Sequence, residues 1–136
     1  MRAVLDANVL ISAMLAPNGS PAKLIQIWLD GGFELIISRC LLDEFQRAAR
    51  YPKLRSRIDE SDISEIVDLL YRGAELIDDL EDPRPFSPDP DDDYLLALAE
   101  TSHSVLVSGD QHLLALKDDF PIYFPKHFLD LLVDIQ

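Results

Sequence analysis

The chain has 136 residues, of which 48% are hydrophobic and 27% charged, and these proportions favour one globular domain over residues 1–136. Its 25 acidic and 12 basic residues give a net charge of −13, which argues against a protein that binds duplex DNA by charge alone. The single cysteine, Cys40, excludes an internal disulfide and a cysteine-based zinc site. With no signal-peptide pattern and no apolar run of about 18 residues, we expect a cytoplasmic protein without a membrane span.

Short apolar runs, which predict strands, alternate along the chain with amphipathic stretches, which predict helices. The first half of the chain is predicted to contain a strand over 3–5, helices over 9–15 and 20–30, a strand over 35–37, a helix between Ser38 and Pro52, and a helix over 61–72. A weak strand over 76–77 and a loop over 78–90 follow. The rest is predicted to contain a helix over 91–101, a strand over 105–107, a short helix around 113–116, an edge strand over 122–124 and a helix over 125–133. No hairpin signal joins two strands. The fold class predicted is therefore α/β, with a mainly parallel sheet and helices on both faces.

Polar residues that precede the helices are expected to cap them. Ser20, followed by Pro21, is the expected N-cap of the second helix, Ser38 that of the third and Ser61 the start of the fourth, which should end before Gly73. The side chains expected to face the core from these helices are Leu24, Ile27, Trp28, Leu41, Leu42, Phe45, Ala48, Ala49, Ile63, Ile66, Val67, Leu70 and Tyr71.

Two acidic residues follow predicted strands directly. Asp6 ends the first strand and Asp110 comes just after the fourth. Ligands of open α/β sheets gather beyond the carboxyl ends of the strands, so this is where a functional site is expected. The alternative is that each aspartate only caps the helix that follows it.

A second pair of acidic elements lies on helices. In the run of three aspartates that opens the helix over 91–101, Asp93 is expected on the inward side, Asp91 in water and Asp92 between them. Glu44 lies at the border of the apolar face of its helix, where an unpaired charge is unfavourable. The alternative for all of them is a solvated helix surface.

Convergence of Asp6, Glu44, Asp93 and Asp110 would build a cage of carboxylate oxygens. Such a cage suits Mg²⁺ or Mn²⁺ rather than zinc, because it offers neither thiolate nor imidazole. These ions activate water and stabilise the leaving oxygen in phosphodiester hydrolysis.

Four ordered segments carry a resemblance that covers nearly the whole chain. Residues 6–15 (DANVLISAML), Glu44, residues 89–99 (DPDDDYLLALA) and residues 107–114 (VSGDQHLL), followed by residues 122–132 (IYFPKHFLDLL), are similar to the PIN-domain ribonucleases. The similarity is to the VapC-like toxin components of bacterial and archaeal toxin–antitoxin pairs. The resemblance implies a single PIN-like nuclease domain with a five-stranded parallel sheet, a divalent-metal pocket and cleavage of single-stranded RNA.

The resemblance also assigns residues. It places Asp6, Glu44, Asp93 and Asp110 on the four acidic positions of the family, with Asn8 and Ser108 as supporting polar residues and Asp92 as a neighbouring acid. Where related chains often carry a further acid, this chain has His112. As partners the resemblance implies an antitoxin protein and a second copy of the chain, with the apolar helices over 20–30 and 61–72 as candidate surfaces.

Five basic residues cluster just after Glu44. A patch of this kind would hold RNA phosphates beside the acidic site, and Tyr51 within it could stack on a base. The alternative is a solvated helix end. The five residues are Arg47, Arg50, Lys53, Arg55 and Arg57.

Other classes of protein place different requirements on the same residues. A haloacid-dehalogenase-type phosphatase needs an aspartate where Asn8 stands. A phospho-acceptor receiver needs an aspartate after a middle strand and a lysine after the last strand, for which Asp78 or Asp79 and Lys126 are available. A catalytically weak PIN-like module that acts through a protein partner is the third alternative.

Overall fold

A computed structural model describes residues 1–81, 83, 85 and 90–134. The strands are β1 (Arg2–Leu5), β2 (Glu34–Ile37), β3 (Glu75–Leu76), β4 (Val105–Val107) and β5 (Ile122–Tyr123). The helices are α1 (Ala7–Leu15), α2 (Ser20–Leu29), α3 (Arg39–Ala49), α4 (Glu60–Gly73), α5 (Asp93–Thr101), α6 (Gln111–Leu114) and α7 (Pro125–Asp134). Single 3₁₀ turns cover Pro52–Leu54 and Pro90–Asp92.

The five strands form one parallel sheet in the order β3-β2-β1-β4-β5. The chain starts at the centre, runs outward through β2 and β3, and then returns to the other side of β1 with β4 and β5. The strand order therefore reverses between β1 and β4. Ligand sites of open α/β sheets lie at such a reversal, beyond the carboxyl ends of the two strands.

Helices cover both faces of the sheet. Ala3, Val4 and Leu5 are all fully buried although successive side chains of a strand point to opposite faces. Ile36 and Ile37 of β2 and Val107 of β4 are equally inaccessible. The predicted α/β class with a parallel sheet between helical layers is confirmed.

The strand predictions hold to within one residue, and helix starts differ more. The third strand covers Glu75–Leu76 instead of 76–77, and β5 ends at Tyr123. Helix α1 begins at Ala7, two residues earlier than predicted, because Asp6 leaves the strand directly in the N-cap position. Asp91 and Asp92 belong to a 3₁₀ turn, and α5 starts at Asp93. The predicted loop over 78–90 lies partly outside the described residues.

Two of the three predicted caps are wrong. Ser38 caps α3 as expected, its hydroxyl accepting from the Leu41 N–H at 3.3 Å. Helix α2, however, has Gly19 as its N-cap, and Ser20 is already helical. Helix α4 starts before Ser61 because two aspartates cap it. The Asp59 carboxylate accepts from the Asp62 N–H at 3.0 Å, and the Asp62 carboxylate accepts from the Asp59 N–H. This reciprocal box satisfies two helix-end donors at once, which a lone serine does not.

The apolar faces of α2 and α4 are narrower than the sequence predicts. The prediction that Tyr71 lies in the core is wrong, since its side chain is exposed. Ile27, Ala48, Ile66 and Val67 are only partly buried, packed against the edge of the core. Gly73 is the last residue of α4 rather than a residue beyond it. In the part of the chain that the structure describes, no helix has the length and apolar character to cross a membrane.

Candidate active site

Asp6 leaves the carboxyl end of β1 and enters the reversal point of the sheet. Its N–H continues the ladder to β4 by donating to the Val107 carbonyl at 3.0 Å. Its Oδ2 accepts from the Ser108 hydroxyl at 2.7 Å, and the Ser108 Oγ in turn accepts from the Asp110 N–H at 3.0 Å. Ser108, which is fully buried, therefore links the two aspartates that follow neighbouring strands.

Asp110 is fixed by the helix that it starts. Its Oδ1 accepts from the His112 N–H at 2.7 Å, so it is the N-cap of α6. The capping interpretation of Asp110 is confirmed. It does not compete with the site interpretation, because the same hydrogen bond holds the carboxylate at the sheet edge beside Asp6.

Glu44 reaches the same region from α3. The Tyr94 hydroxyl, from the first turn of α5, donates a hydrogen bond to Glu44 Oε2. Burial raises the pKa of Tyr94, and the Glu44 carboxylate raises it further, so the phenol stays protonated and remains a donor. Tyr94 was missed in the sequence. The signal was its hydroxyl on an apolar helix beside Asp93, because a half-buried tyrosine usually has a polar partner.

The carboxylates act on one another electrostatically. Burial raises the pKa of Asp6, whose side chain is only 5% exposed, and the Ser108 hydrogen bond partly offsets this effect. The charges of Glu44 and Asp110 raise the Asp6 pKa further. A buried acid with two half-buried acids near it favours either protonation or a bound cation.

Asp93 is the first residue of α5 and is 4% exposed. Asp91 is exposed and Asp92 half-buried, which is the order that the helical spacing predicts. Asp93 thus lies one residue before Tyr94, the residue that contacts Glu44. Helix α5 packs against β1 and β4, the strands that Asp6 and Ser108 directly follow.

The donor atoms fit a hard divalent cation, since they are oxygens with an excess of negative charge. Among the described residues, however, no three His, Cys, Asp or Glu side chains are close enough to hold an ion together. Ion binding therefore requires the carboxylates to approach one another further.

The predicted supporting residue Asn8 and the predicted basic residues lie at the surface of the protein, unlike the buried Asp6 and Asp93. Asn8 is exposed on α1 and lines a groove together with Asp110. Arg47, Arg50, Lys53, Arg55 and Arg57 are all exposed, as is Tyr51. Two of them are already engaged: the Arg50 guanidinium donates to both carboxylate oxygens of Glu60, at 2.8 and 3.1 Å, and the Arg57 guanidinium donates to the Leu15 carbonyl.

The receiver alternative fails on topology. The strand before Asp78 and Asp79 is β3, which lies at the edge of the sheet rather than in its middle. The Asp79 Oδ2 accepts from the Cys40 N–H at the start of α3, so this carboxylate is a structural cap. Lys126 belongs to α7, where its ammonium pairs with Asp130 at 2.8 Å.

Comparison with known proteins places this chain in one family. The model of the PIN domain family matches residues 2–112. The chain belongs to the PIN domain family, a class of nucleases that generally use divalent metal ions. A relative, the uncharacterized protein MJ1680 of Methanocaldococcus jannaschii, is 28% identical over 120 residues, which are 88% of this chain and 77% of the relative.

Solved structures share the fold at low identity. VapBC2 from Rickettsia felis, solved with a DNA fragment from its promoter, aligns with a TM-score of 0.64 and 16% identity over 91% of this chain and 98% of that one. VapBC-1 from nontypeable Haemophilus influenzae aligns with a TM-score of 0.63 and 16% identity over 93% of this chain and 99% of that one. PAE2754 from Pyrobaculum aerophilum aligns with a TM-score of 0.63 and 18% identity over 98% of this chain and 90% of that one.

Proposed function

We propose that this PIN-domain protein is a divalent-metal-dependent endoribonuclease that cleaves single-stranded RNA. The observation that carries the proposal is the Asp6–Ser108–Asp110 chain of hydrogen bonds at the reversal of the sheet. The first bond holds the buried Asp6 carboxylate and the second holds the backbone of Asp110. The charges of Glu44 and of the half-buried Asp110 are close enough to raise the pKa of Asp6. Carboxylates whose pKa is raised by burial and by neighbouring acids are typical of functional sites, where their negative charge binds a cation or takes part in the chemistry.

Each residue has a separate task in this proposal. Asp6, Asp93 and Asp110 ligate Mg²⁺ or Mn²⁺, with Asp92 as a further ligand, and Glu44 ligates the ion or orients the attacking water. When bound, the ion supplies activation of water and stabilisation of the leaving oxygen. Ser108 holds Asp6 in one rotamer, and Tyr94 holds Glu44 by its hydroxyl. Asn8 lies at the open side of the site, where it can contact the RNA.

The basic cluster is proposed as a phosphate contact beside the site. Arg47, Lys53 and Arg55 carry it, because Arg50 and Arg57 are engaged by Glu60 and Leu15. In a protein with a net charge of −13, such contacts act only at short range.

We also propose a cytoplasmic toxin that is restrained by an antitoxin and forms a homodimer. Two of the structural neighbours are VapBC proteins. Helices α1, α2 and α4 enclose an apolar cavity of about 120 Å³ that is lined by Leu10, Met14, Ile25, Ile66 and Leu69, among others. The two helices predicted as partner surfaces thus line one apolar cavity, which suits an apolar side chain of a protein partner.

The test is RNA cleavage by Asp6→Asn. This variant keeps the size of the side chain and an acceptor for Ser108, and removes a charge. Cleavage of an unstructured RNA in Mn²⁺ should fall by about 100-fold or more, as expected when an ion ligand is lost. Asp43→Asn, an exposed aspartate on the same helix as Glu44, is the matched control and should cleave like the wild type. Undiminished cleavage by Asp6→Asn would disprove the assignment.

A further inference from the structure

An exposed aromatic ring stands beside the candidate active site. Phe124 follows the carboxyl end of β5, and its side chain is 41% exposed. The backbone is fixed on both sides of the ring. The Ser108 N–H donates to the Tyr123 carbonyl at 3.0 Å, and the Phe128 N–H donates to the Phe124 carbonyl at 3.0 Å. The ring is therefore presented to solvent from a rigid junction between sheet and helix.

The ring lines a groove that also reaches Asp110. The groove has a volume of about 480 Å³, and its lining includes Asn8, Ser12, Ser20, Asp110, Phe124 and Lys126. Gly109 separates Asp110 from the ring, and a Cβ added at Gly109 would lie 3.8 Å from Phe124 Cε2. Gly109 therefore lies beside the ring without a side chain of its own.

The chemistry of this groove differs from that of the apolar cavity between α1, α2 and α4. Its lining also offers an amide from Asn8 and hydroxyls from Ser12 and Ser20, which are donors and acceptors for the edge of a base. Lys126 lies in the same lining, with its ammonium paired to Asp130. A planar apolar face, polar groups in the same groove and the Asp110 carboxylate suit an unpaired nucleobase better than an aliphatic side chain.

We propose that this groove is a nucleotide subsite in which Phe124 stacks on an unpaired base of single-stranded RNA, next to the phosphodiester held at Asp6 and Asp110. The inference rests on the proposed function and deepens it, since it explains preference for single strands. Bases of a duplex are stacked on one another and cannot present a face to the ring.

The test is binding of a short single-stranded RNA that carries the fluorescent base 2-aminopurine. Binding is measured in Mn²⁺ and in an Asp6→Asn background, so that cleavage does not interfere. Stacking on Phe124 should quench the fluorescence at one nucleotide position. Phe124→Ala should abolish the quenching and weaken binding about 5-fold or more, and Phe124→Trp should restore both. Tyr71→Ala, which removes an exposed aromatic ring from α4, is the control and should change neither.

The outcomes separate the subsite from the nuclease. If the wild type cleaves RNA but Phe124→Ala binds and quenches as before at an unchanged melting temperature, the subsite is wrong and the nuclease stands. If Phe124→Ala changes only the sedimentation of the protein or its binding to a protein partner, the groove is a protein interface and the subsite is again wrong. If the wild type does not cleave RNA, the proposed function fails, while quenching that depends on Phe124 would still support a base-binding groove.

Discussion

Glu44 and Tyr94 form a pair in which a neutral donor fixes a charged acceptor. Tyr94→Phe removes the hydroxyl and leaves the ring packing intact. A hydrogen bond to a charged group is worth about 1.5–3 kcal/mol, so cleavage should fall about 10-fold as Glu44 loses its orientation. Single-turnover cleavage rates in Mn²⁺ measure this effect. Tyr71→Phe, which removes a hydroxyl from an exposed side chain of α4, is the matched control. A rate equal to that of the wild type would contradict a positioning role for Tyr94.

The raised pKa of Asp6 predicts a pH-dependent stability. Because the folded protein holds this proton more tightly than the unfolded chain does, the free energy of unfolding falls as pH rises from the ordinary value of 3.8 through the raised pKa. In EDTA, Asp6→Asn should therefore be more stable than the wild type at pH 8. The difference should disappear below 3.8, where the aspartate is protonated in both states.

Urea denaturation at a series of pH values measures this difference. Asp43→Asn, at an exposed position, should follow the wild-type curve throughout. An Asp6→Asn protein that is less stable than the wild type at pH 8 would show that the buried carboxylate is compensated by a partner.

At the scale of elements, α4 and α2 meet through a glycine. A Cβ added at Gly73 would lie 2.9 Å from Cζ2 of Trp28, a ring that is almost fully buried. Gly73→Ala gains up to about 1 kcal/mol of helix propensity, but displacing a packed ring costs about 1–3 kcal/mol. The variant should therefore be less stable.

Urea denaturation of single and double variants checks this packing. Trp28→Phe makes a smaller ring, so adding Gly73→Ala to it should cost less than adding Gly73→Ala to the wild type. Equal costs in both backgrounds would mean that the ring is not the obstacle.

Strand positions were predictable from the sequence because each central strand is a continuous apolar run. Leu35, Ile36 and Ile37 have no competing interpretation at that length. Helix starts were less predictable where several capping residues stand together. Asp59, Ser61 and Asp62 can each cap, and only the reciprocal pair between the two aspartates decides the start of α4.

The candidate site was predictable as far as chain topology determines it. Asp6 and Asp110 follow strands, so a parallel sheet brings them to one edge whatever their side chains do. The Tyr94–Glu44 contact joins residues 50 positions apart and depends on how α3 and α5 pack. The same holds for Arg50, which the sequence assigned to the basic cluster and the structure pairs with Glu60. No local pattern carries this information.

At the scale of the whole molecule, the crowded carboxylates predict that metal ions stabilise the fold. A ligand that binds only the folded state raises the free energy of unfolding by about 2.7 kcal/mol at 100 times its dissociation constant. The melting temperature should therefore rise when millimolar Mn²⁺ replaces EDTA. The double variant Asp6→Asn/Asp110→Asn should lose this increase. An increase that persists in the double variant would place the ion elsewhere on the acidic surface.

The parallel sheet also determines when the site can exist during synthesis. Strand β1 lies between β2 and β4, and Asp6 meets Ser108 only after 102 further residues have been added. A growing chain that already contains Asp6 still lacks Ser108 and Asp110 until β4 has left the ribosome. Long-range pairing of this kind forms late and slowly, so the candidate site cannot assemble before then. The order of the strands thus makes assembly of the site wait for the synthesis of β4.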